Sequence, residues 1–250
     1  MIPARYGSSR FPGKVLARQT GKYLLQHVVD NVRHCAAIER IVVATDDTRV
    51  VEACRSFDVQ AVMTSADHPS GTDRIAEAIA GISAEIIVNV QADEPDLPAE
   101  SIDTLVALLK SPPKLDVPMA TLAAPFPAGS DPTDPNRVKV VLDDDRCALY
   151  FSRSLIPFDR VASGTGSKDT YLLHLGTYAY RREFLLEYCA WPPGRLEQIE
   201  KLEQLRALEH GAKIAVAIVD DAGSGIDTPE DYEAFVKRYK DEYDRKTVGQ

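Results

Sequence analysis

Apolar and polar residues follow two rhythms along this chain. Leu24, Leu25, Val28, Val29 and Val32 recur at the spacing of one helix face, which predicts an amphipathic helix packed on a sheet. Ile41 to Ala44 is a short unbroken apolar run, the mark of a buried parallel strand. Asp47 then stands where a cap is needed for a helix through Val50, Val51 and Cys54, and Val59 to Met63 reads as the next strand. Ile75, Ala76, Ile79 and Ala80 mark another helix, capped by Ser70 or Thr72. Ile86 to Val90 is the clearest buried strand, and Glu100 to Lys110 a further helix. Such alternation predicts an α/β fold with a parallel sheet covered on both faces.

The pattern loosens after Pro112 and Pro113. Met119 to Ala124 reads as a strand, and Phe126 to Asn136, rich in Pro, Asp and Gly, as a loop within one domain. Val138 to Leu142 and Ala148 to Phe151 are strands around a solvated tip, Asp143-Asp144-Asp145. Arg160 to Thr170, with Gly164, Gly166 and Ser167, is a flexible segment able to move over a site. His174 to Arg181 alternates as a strand does, placing His174, Gly176, Tyr178 and Tyr180 on one side. Glu197 to Glu209 is expected to be one helix with a stripe of Leu202, Leu205 and Leu208, leaving Glu203, Gln204 and Arg206 on its wet face. Ile214 to Val219 is the last strand, and Thr228 with Pro229 starts the last helix.

Composition narrows the classes. A chain of 250 residues holds one α/β domain or two small ones. Its net charge of -9 argues against a nucleic-acid surface, which needs accumulated Lys and Arg. No stretch approaches the roughly 18 apolar residues of a membrane helix, and no signal peptide opens the chain, so the cytoplasm is expected. The four cysteines, Cys35, Cys54, Cys147 and Cys189, form no CxxC and read as reduced thiols.

Against this acidic background, Pro3 to Lys14 carries Arg5, Arg10 and Lys14 among Gly7, Ser8, Ser9, Pro12 and Gly13, with no acidic residue before Asp30. Glycines allow close backbone approach and the cations supply fixed charge, so the loop suits a run of phosphates. It is not a Walker A loop: five residues separate Gly7 from Gly13, and Val15 follows Lys14 where Ser or Thr would hold magnesium. Nor does Gly223-Ser224-Gly225 open a βαβ unit as the dinucleotide fingerprint requires. Only Ile2 stands where a buried strand normally precedes a phosphate loop, so the first strand reads as cut short. Asp93 follows the strand of Ile86 to Val90, where open α/β sheets bind ligands. It suits a magnesium ligand or a helix cap, and the next helix starts late to need it.

Taken together, IPARYGSSRFPGK, HPSGTDR, NVQADEP, ALYFSR, HLGTYAYR, LEQLR and GIDTPED resemble the 3-deoxy-manno-octulosonate (Kdo) cytidylyltransferase family, in the family's order and over almost the whole chain. The resemblance implies a single domain over 1–250 of the nucleotide-diphospho-sugar transferase-like, Rossmann-like class. A mixed central sheet would be flanked by helices, and a small β-rich lobe at roughly 126–195 would mediate a homodimer. It implies the reaction of CTP with Kdo to CMP-Kdo and pyrophosphate, with Mg2+, for lipopolysaccharide assembly. Arg10 and Lys14, with Arg5 nearby, would hold the triphosphate, while Ser70, Arg74 and Gln91 would bind the nucleotide. Asp93 and Asp227 would hold the metal. Arg153 would pair with the sugar carboxylate, and His174, Tyr178, Glu203 and Gln204 would bind its hydroxyls. The family usually has Gly where Ala92 stands.

Three rival readings remain compatible with the sequence. The sugar acid can be a sialic acid or an 8-amino Kdo analogue. A metal-dependent glycosyltransferase of similar topology would need less positive charge than PARYGSSRFPGK offers. A non-catalytic nucleotide sensor would bind CTP without turnover.

Overall fold

The computed structural model describes residues 1–8, 10–110, 117–127, 129–161, 170–220, 223 and 225–248, of which 242–244 and 246–248 are described by backbone alone. The segment expected to be flexible therefore lies largely outside the described residues, as do Pro112 and Pro113. In chain order the elements are β1 (Ile2–Pro3), a 3-10 turn (Lys14–Leu16), α1 (Leu24–Val32), β2 (Val42–Thr45), α2 (Thr48–Ser56), β3 (Gln60–Met63) and α3 (Gly71–Ala78). Then come β4 (Ile86–Asn89), α4 (Ala99–Lys110), β5 (Met119–Pro125), β6 (Lys139–Leu142), β7 (Ala148–Ser152) and β8 (Leu172–Arg181). The chain continues through α5 (Arg182–Ala190), α6 (Arg195–Glu200), α7 (Gln204–Glu209), β9 (Ile214–Ile218) and α8 (Pro229–Val248).

These elements divide into two compact units, one of residues 1–82, 90–99 and 223–250, the other of 83–89 and 100–222. In the first, β1, β2 and β3 form a parallel sheet in that order. β1 is two residues long, and the amide of Val90 adds a bond to the Met1 carbonyl. The helix starts are built as their residue types require. Asp47 accepts from the Arg49 amide, and Ser70 rather than Thr72 caps α3, accepting from the Asp73 amide at 3.1 Å. Thr228 and Asp231 cap α8 reciprocally: Thr228 Oγ1 accepts from the Asp231 amide and the Asp231 carboxylate accepts from the Thr228 amide. α8 contributes Tyr232, Phe235 and Val236 to a cluster with Leu24 and Ile226, and Phe11 and Ala17 of the basic loop region pack against it. Burying each such side chain is worth about 1.5–3 kcal/mol, so the loop's flank is held by core packing.

The second unit is a mixed sheet in the order β7-β6-β8-β5-β9, with β4 also on β8. β8 is its spine. β5 lines one edge, while β6 pairs with residues 172–173 and β4 with 178–181, so residues 174–177 lie outside both of those registers. The α/β reading thus holds, with corrections: β4, expected in a parallel sheet, pairs antiparallel with β8. The helix expected over Glu197 to Glu209 is two helices, α6 and α7, broken at Lys201, which adopts φ 54° in the left-handed region. Arg206, expected on a wet face, is 6% exposed and paired with Glu197 through two contacts of 2.5 and 2.7 Å over the Tyr188 ring. Glu197 in turn accepts from the Gly194 amide at the start of α6. The pair needs α6 and α7 side by side, which one straight helix does not permit.

Two histidines are held in neutral form. His27 of α1 shares a 2.7 Å hydrogen bond with Thr20 Oγ1 and meets the edges of Phe235 and Tyr239, and burial pushes its pKa down from 6.5 to about 4. Burial likewise pushes His174 to about 3. The unfolded chain takes up these protons near pH 6.5 and the folded chain does not, so stability is full above that pH and falls as pH drops toward 4. Urea midpoints measured from about pH 7 to about pH 4.5 should decline accordingly, and His27→Gln should remove about one proton's share of the slope.

Candidate functional site

Residues from three stretches of the first unit meet at one ammonium group. Lys14 opens the 3-10 turn, and Gly13 before it sits at φ 72° with its amide on the Tyr6 carbonyl. The positive φ favours glycine, and a Cβ there would lie 3.0 Å from the Tyr6 ring, which would have to give way. The turn sends Lys14 Nζ to Asp93 Oδ2 at 2.5 Å, the Ile226 carbonyl at 2.8 Å and Asp227 Oδ1 at 3.3 Å. The Lys14 side chain is only 12% exposed, so these contacts are poorly screened. The Ile226 amide donates to the Asp93 carbonyl at 2.8 Å, tying the two carboxylate-bearing stretches together. Arg10 reaches Asp227 at 3.0 Å from a largely exposed position.

Asp93 and Asp227, remote in sequence, therefore lie close enough to share one cation. Among the described residues no third His, Cys, Asp or Glu joins them. Two carboxylates and no imidazole or thiolate make a hard, oxygen-only donor pair, which suits magnesium that keeps its remaining positions for water and phosphate oxygens. The residues present thus fit the ion.

The other residues expected on the nucleotide side are placed differently. Arg74 is 3% exposed and spans Asp46 Oδ2 at 2.7 Å, Thr64 Oγ1 at 2.6 Å and the Ser65 carbonyl at 3.2 Å. It links the ends of β2 and β3 to α3, and Asp46, which reading of the sequence passed over, is its counter-ion. Ser70 Oγ serves α3, as cap and as donor to Asp73 Oδ2. Gln91 is partly exposed on the loop that bears Asp93, Ala92 between them is buried, and Arg5 is exposed.

In the second unit, Arg153 follows β7 and is tied down on every side. Nε donates to the Glu200 carbonyl at 2.7 Å, and the terminal nitrogens to Pro135 and Lys201 carbonyls at 2.8 and 3.3 Å. Its own amide donates to Glu200 Oε2, whose carboxylate also accepts from Ser152 Oγ. These bonds take up carbonyls freed where α6 ends. Lys139, 0% exposed, donates to the Arg153, Arg137 and Asp134 carbonyls, and burial lowers its pKa. Among the described residues three of the five N–H groups of Arg153 are thus engaged, leaving two.

His174 and Tyr178 stand on one side of β8 with ring centroids 5.5 Å apart, and Phe151 meets the His174 ring edge-on at 4.8 Å. Glu203 and Gln204 begin α7, where the Tyr188 hydroxyl donates to the Glu203 carbonyl. Gln204, expected on a wet face, is instead 4% exposed, and among the described residues its Nε2 has no partner, which a buried amide normally avoids. Reading of the sequence missed Glu200 and Lys139, which hold Arg153, since nothing in their local spacing separates them from ordinary surface charges.

Comparison with known proteins identifies the family of the chain. A family model described as cytidylyltransferase matches residues 1–214, which sets the class. A 3-deoxy-manno-octulosonate cytidylyltransferase of Syntrophobacter fumaroxidans is 49% identical over 94% of this chain and 94% of its own, and one of Syntrophotalea carbinolica is 47% identical over 92% and 94%. A solved structure of CMP:2-keto-3-deoxy-manno-octonic acid synthetase complexed with CTP matches with a TM-score of 0.89 at 41% identity, covering 96% of this chain and 97% of that one. A cytidylyltransferase from Leptospira borgpetersenii, 18% identical with a TM-score of 0.62, shares the fold. The chain belongs to the 3-deoxy-manno-octulosonate cytidylyltransferase family.

Because Arg74 is buried against Asp46, Arg74→Met should leave a carboxylate without its partner and cost about 3 kcal/mol. Chemical denaturation of the free protein measures this directly; a loss confined to nucleotide affinity, with stability unchanged, would show the arginine acting on ligand alone.

Proposed function

We propose that this protein is the enzyme that joins CTP and Kdo to give CMP-Kdo and pyrophosphate. The observation that carries the reading is the meeting of Asp93 and Asp227 at Lys14 Nζ, in a chain 49% identical to a 3-deoxy-manno-octulosonate cytidylyltransferase. The anomeric hydroxyl of Kdo attacks the α-phosphorus of CTP in line. A C–O–P bond forms, the bond from the α-phosphorus to the bridging oxygen breaks, pyrophosphate leaves, and the hydroxyl proton is lost to water.

Little covalent chemistry falls to the protein in such a displacement, so placement and charge neutralisation supply the acceleration. Asp93 and Asp227 would hold Mg2+. The ion, when bound, supplies charge neutralisation at phosphate oxygens and acidifies the attacking hydroxyl. Lys14, freed from the carboxylates, and Arg10, already exposed, take up negative charge as it develops on the pyrophosphate. Arg5 and Gln91 hold the nucleotide beside them, with Ser70 and Arg74 shaping the turn at α3. On the sugar side, the two unengaged N–H groups of Arg153 suit a carboxylate. His174, Tyr178, Glu203 and Gln204 meet hydroxyls, and the unpartnered Gln204 amide gains its bond on substrate binding.

The protein would work in the cytoplasm for lipopolysaccharide assembly, as a homodimer formed through the β-rich stretch near 126–195. Exposed Leu149, Phe158 and Val161 on that stretch support an apolar contact. No helix among the described residues is long and apolar enough to cross a membrane.

Asp93→Asn should lower magnesium-dependent pyrophosphate release at least about a hundredfold while leaving the fold intact, given what one such charge contributes in a site of this kind; undiminished release would remove Asp93 from the reaction. Arg153→Ala should raise KM for Kdo and leave KM for CTP in place, and the reverse pattern in steady-state assays would contradict its assignment.

A further inference from the structure

The irregularity in β8 does more than redirect a strand. Across β5 the register passes from Thr121 opposite Tyr178 to Leu122 opposite Leu175, so Gly176 and Thr177 face no residue of β5. A side-chain donor on the facing strand can serve carbonyls at such an irregularity. Thr121 is 0% exposed, and its Oγ1 lies 2.9 Å from the Thr177 carbonyl and 3.1 Å from the Leu175 carbonyl. A hydroxyl has one proton and a carbonyl has none, so sending that proton to the imidazole would turn oxygen lone pairs toward two close carbonyls; the hydrogen therefore goes to the bulge, whichever carbonyl takes it.

The third neighbour of Thr121 Oγ1 is Nε2 of His174, at 3.1 Å. With its proton engaged, the oxygen turns only lone pairs toward the ring. An Nε2 lone pair facing them would be repelled, so Nε2 carries the hydrogen and donates. Burial keeps the ring neutral, with a pKa near 3. In the neutral Nε2–H form the other nitrogen, Nδ1, is bare. Among the described residues it meets no hydrogen-bond partner, and the side chain remains partly exposed.

We propose that Thr121 is a positioning residue that locks His174 in the Nε2–H tautomer, so that His174 meets its ligand only as an acceptor, through Nδ1. This rests on the assignment of His174 to the sugar acid. The group placed against it must be a donor, a hydroxyl or an ammonium. A methoxy, fluoro or carbonyl group in that place would set acceptor against acceptor and be refused. The bulge therefore converts a backbone irregularity into a rule about which substituents the pocket admits.

The first test needs no variant at Thr121 and no substrate. In protein labelled with 15N at histidine, the His174 signals, identified by their loss in His174→Gln, should show a protonated nitrogen coupled to both ring carbon protons and a bare nitrogen coupled to one. A protonated Nδ1 would overturn the proposal. In Thr121→Val the lock should be lost, KM for Kdo should rise about tenfold with KM for CTP unchanged, as expected for one lost hydrogen bond, and Thr121→Ser should restore both tautomer and KM. Unchanged KM for Kdo in a folded Thr121→Val, or a Ser variant that fails to restore it, would also overturn the proposal. Should the wild-type spectrum show the stated tautomer in a protein that does not turn over Kdo, the lock stands and it is the substrate assignment that fails.

Discussion

A single, partly buried ammonium holds the first unit's chemistry in register. Lys14 Nζ draws together Asp93, Asp227 and the Ile226 carbonyl, three groups that would otherwise repel one another or face water. Two carboxylates brought this close carry an electrostatic cost that falls away when a cation sits between them. The lysine supplies that cation in the free protein. The left-handed turn at Gly13 and the packing of Phe11 and Ala17 on the α8 cluster fix where the lysine starts, and the Ile226 amide on the Asp93 carbonyl fixes where it ends. Charge, turn and core therefore specify one arrangement.

The second unit meets its constraint by a different device. Arg153, Lys139 and Glu200 form a cluster in which cations are satisfied chiefly by backbone carbonyls rather than by paired acids. Such an arrangement keeps positive charge in place without neutralising it, which favours an arriving carboxylate. The bulge of β8 does the same for hydrogen bonding, directing one threonine proton to backbone so that a histidine lone pair stays available.

How much of this was legible in the sequence depends on the range of the cause. Strands such as Ile86 to Val90 and the helix of Leu24 to Val32 were legible because their pattern is local and matches their burial. The caps at Asp47 and Ser70 were legible for the same reason. The break at Lys201 was not, because its cause is the Arg206 and Glu197 pair together with Arg153 from far upstream. Nor was Arg74's engagement with Asp46, since a basic residue in a polar turn looks available for a ligand until its counter-ion is seen at 2.7 Å. The meeting of Asp93 and Asp227 followed from family resemblance alone; no spacing rule joins residues so remote. Thr121 offered no signal at all, a threonine in a strand being expected on propensity.

Under the proposed function, Lys14 occupies the place between the two carboxylates that a divalent ion would take. Titration of the nucleotide-free Lys14→Met protein with Mn2+, followed by electron paramagnetic resonance, tests it most directly. With the competing ammonium removed, the ion should bind more tightly than to the unaltered protein, and Asp227→Asn on the same background should abolish the gain. Equal or weaker binding in Lys14→Met would contradict the account.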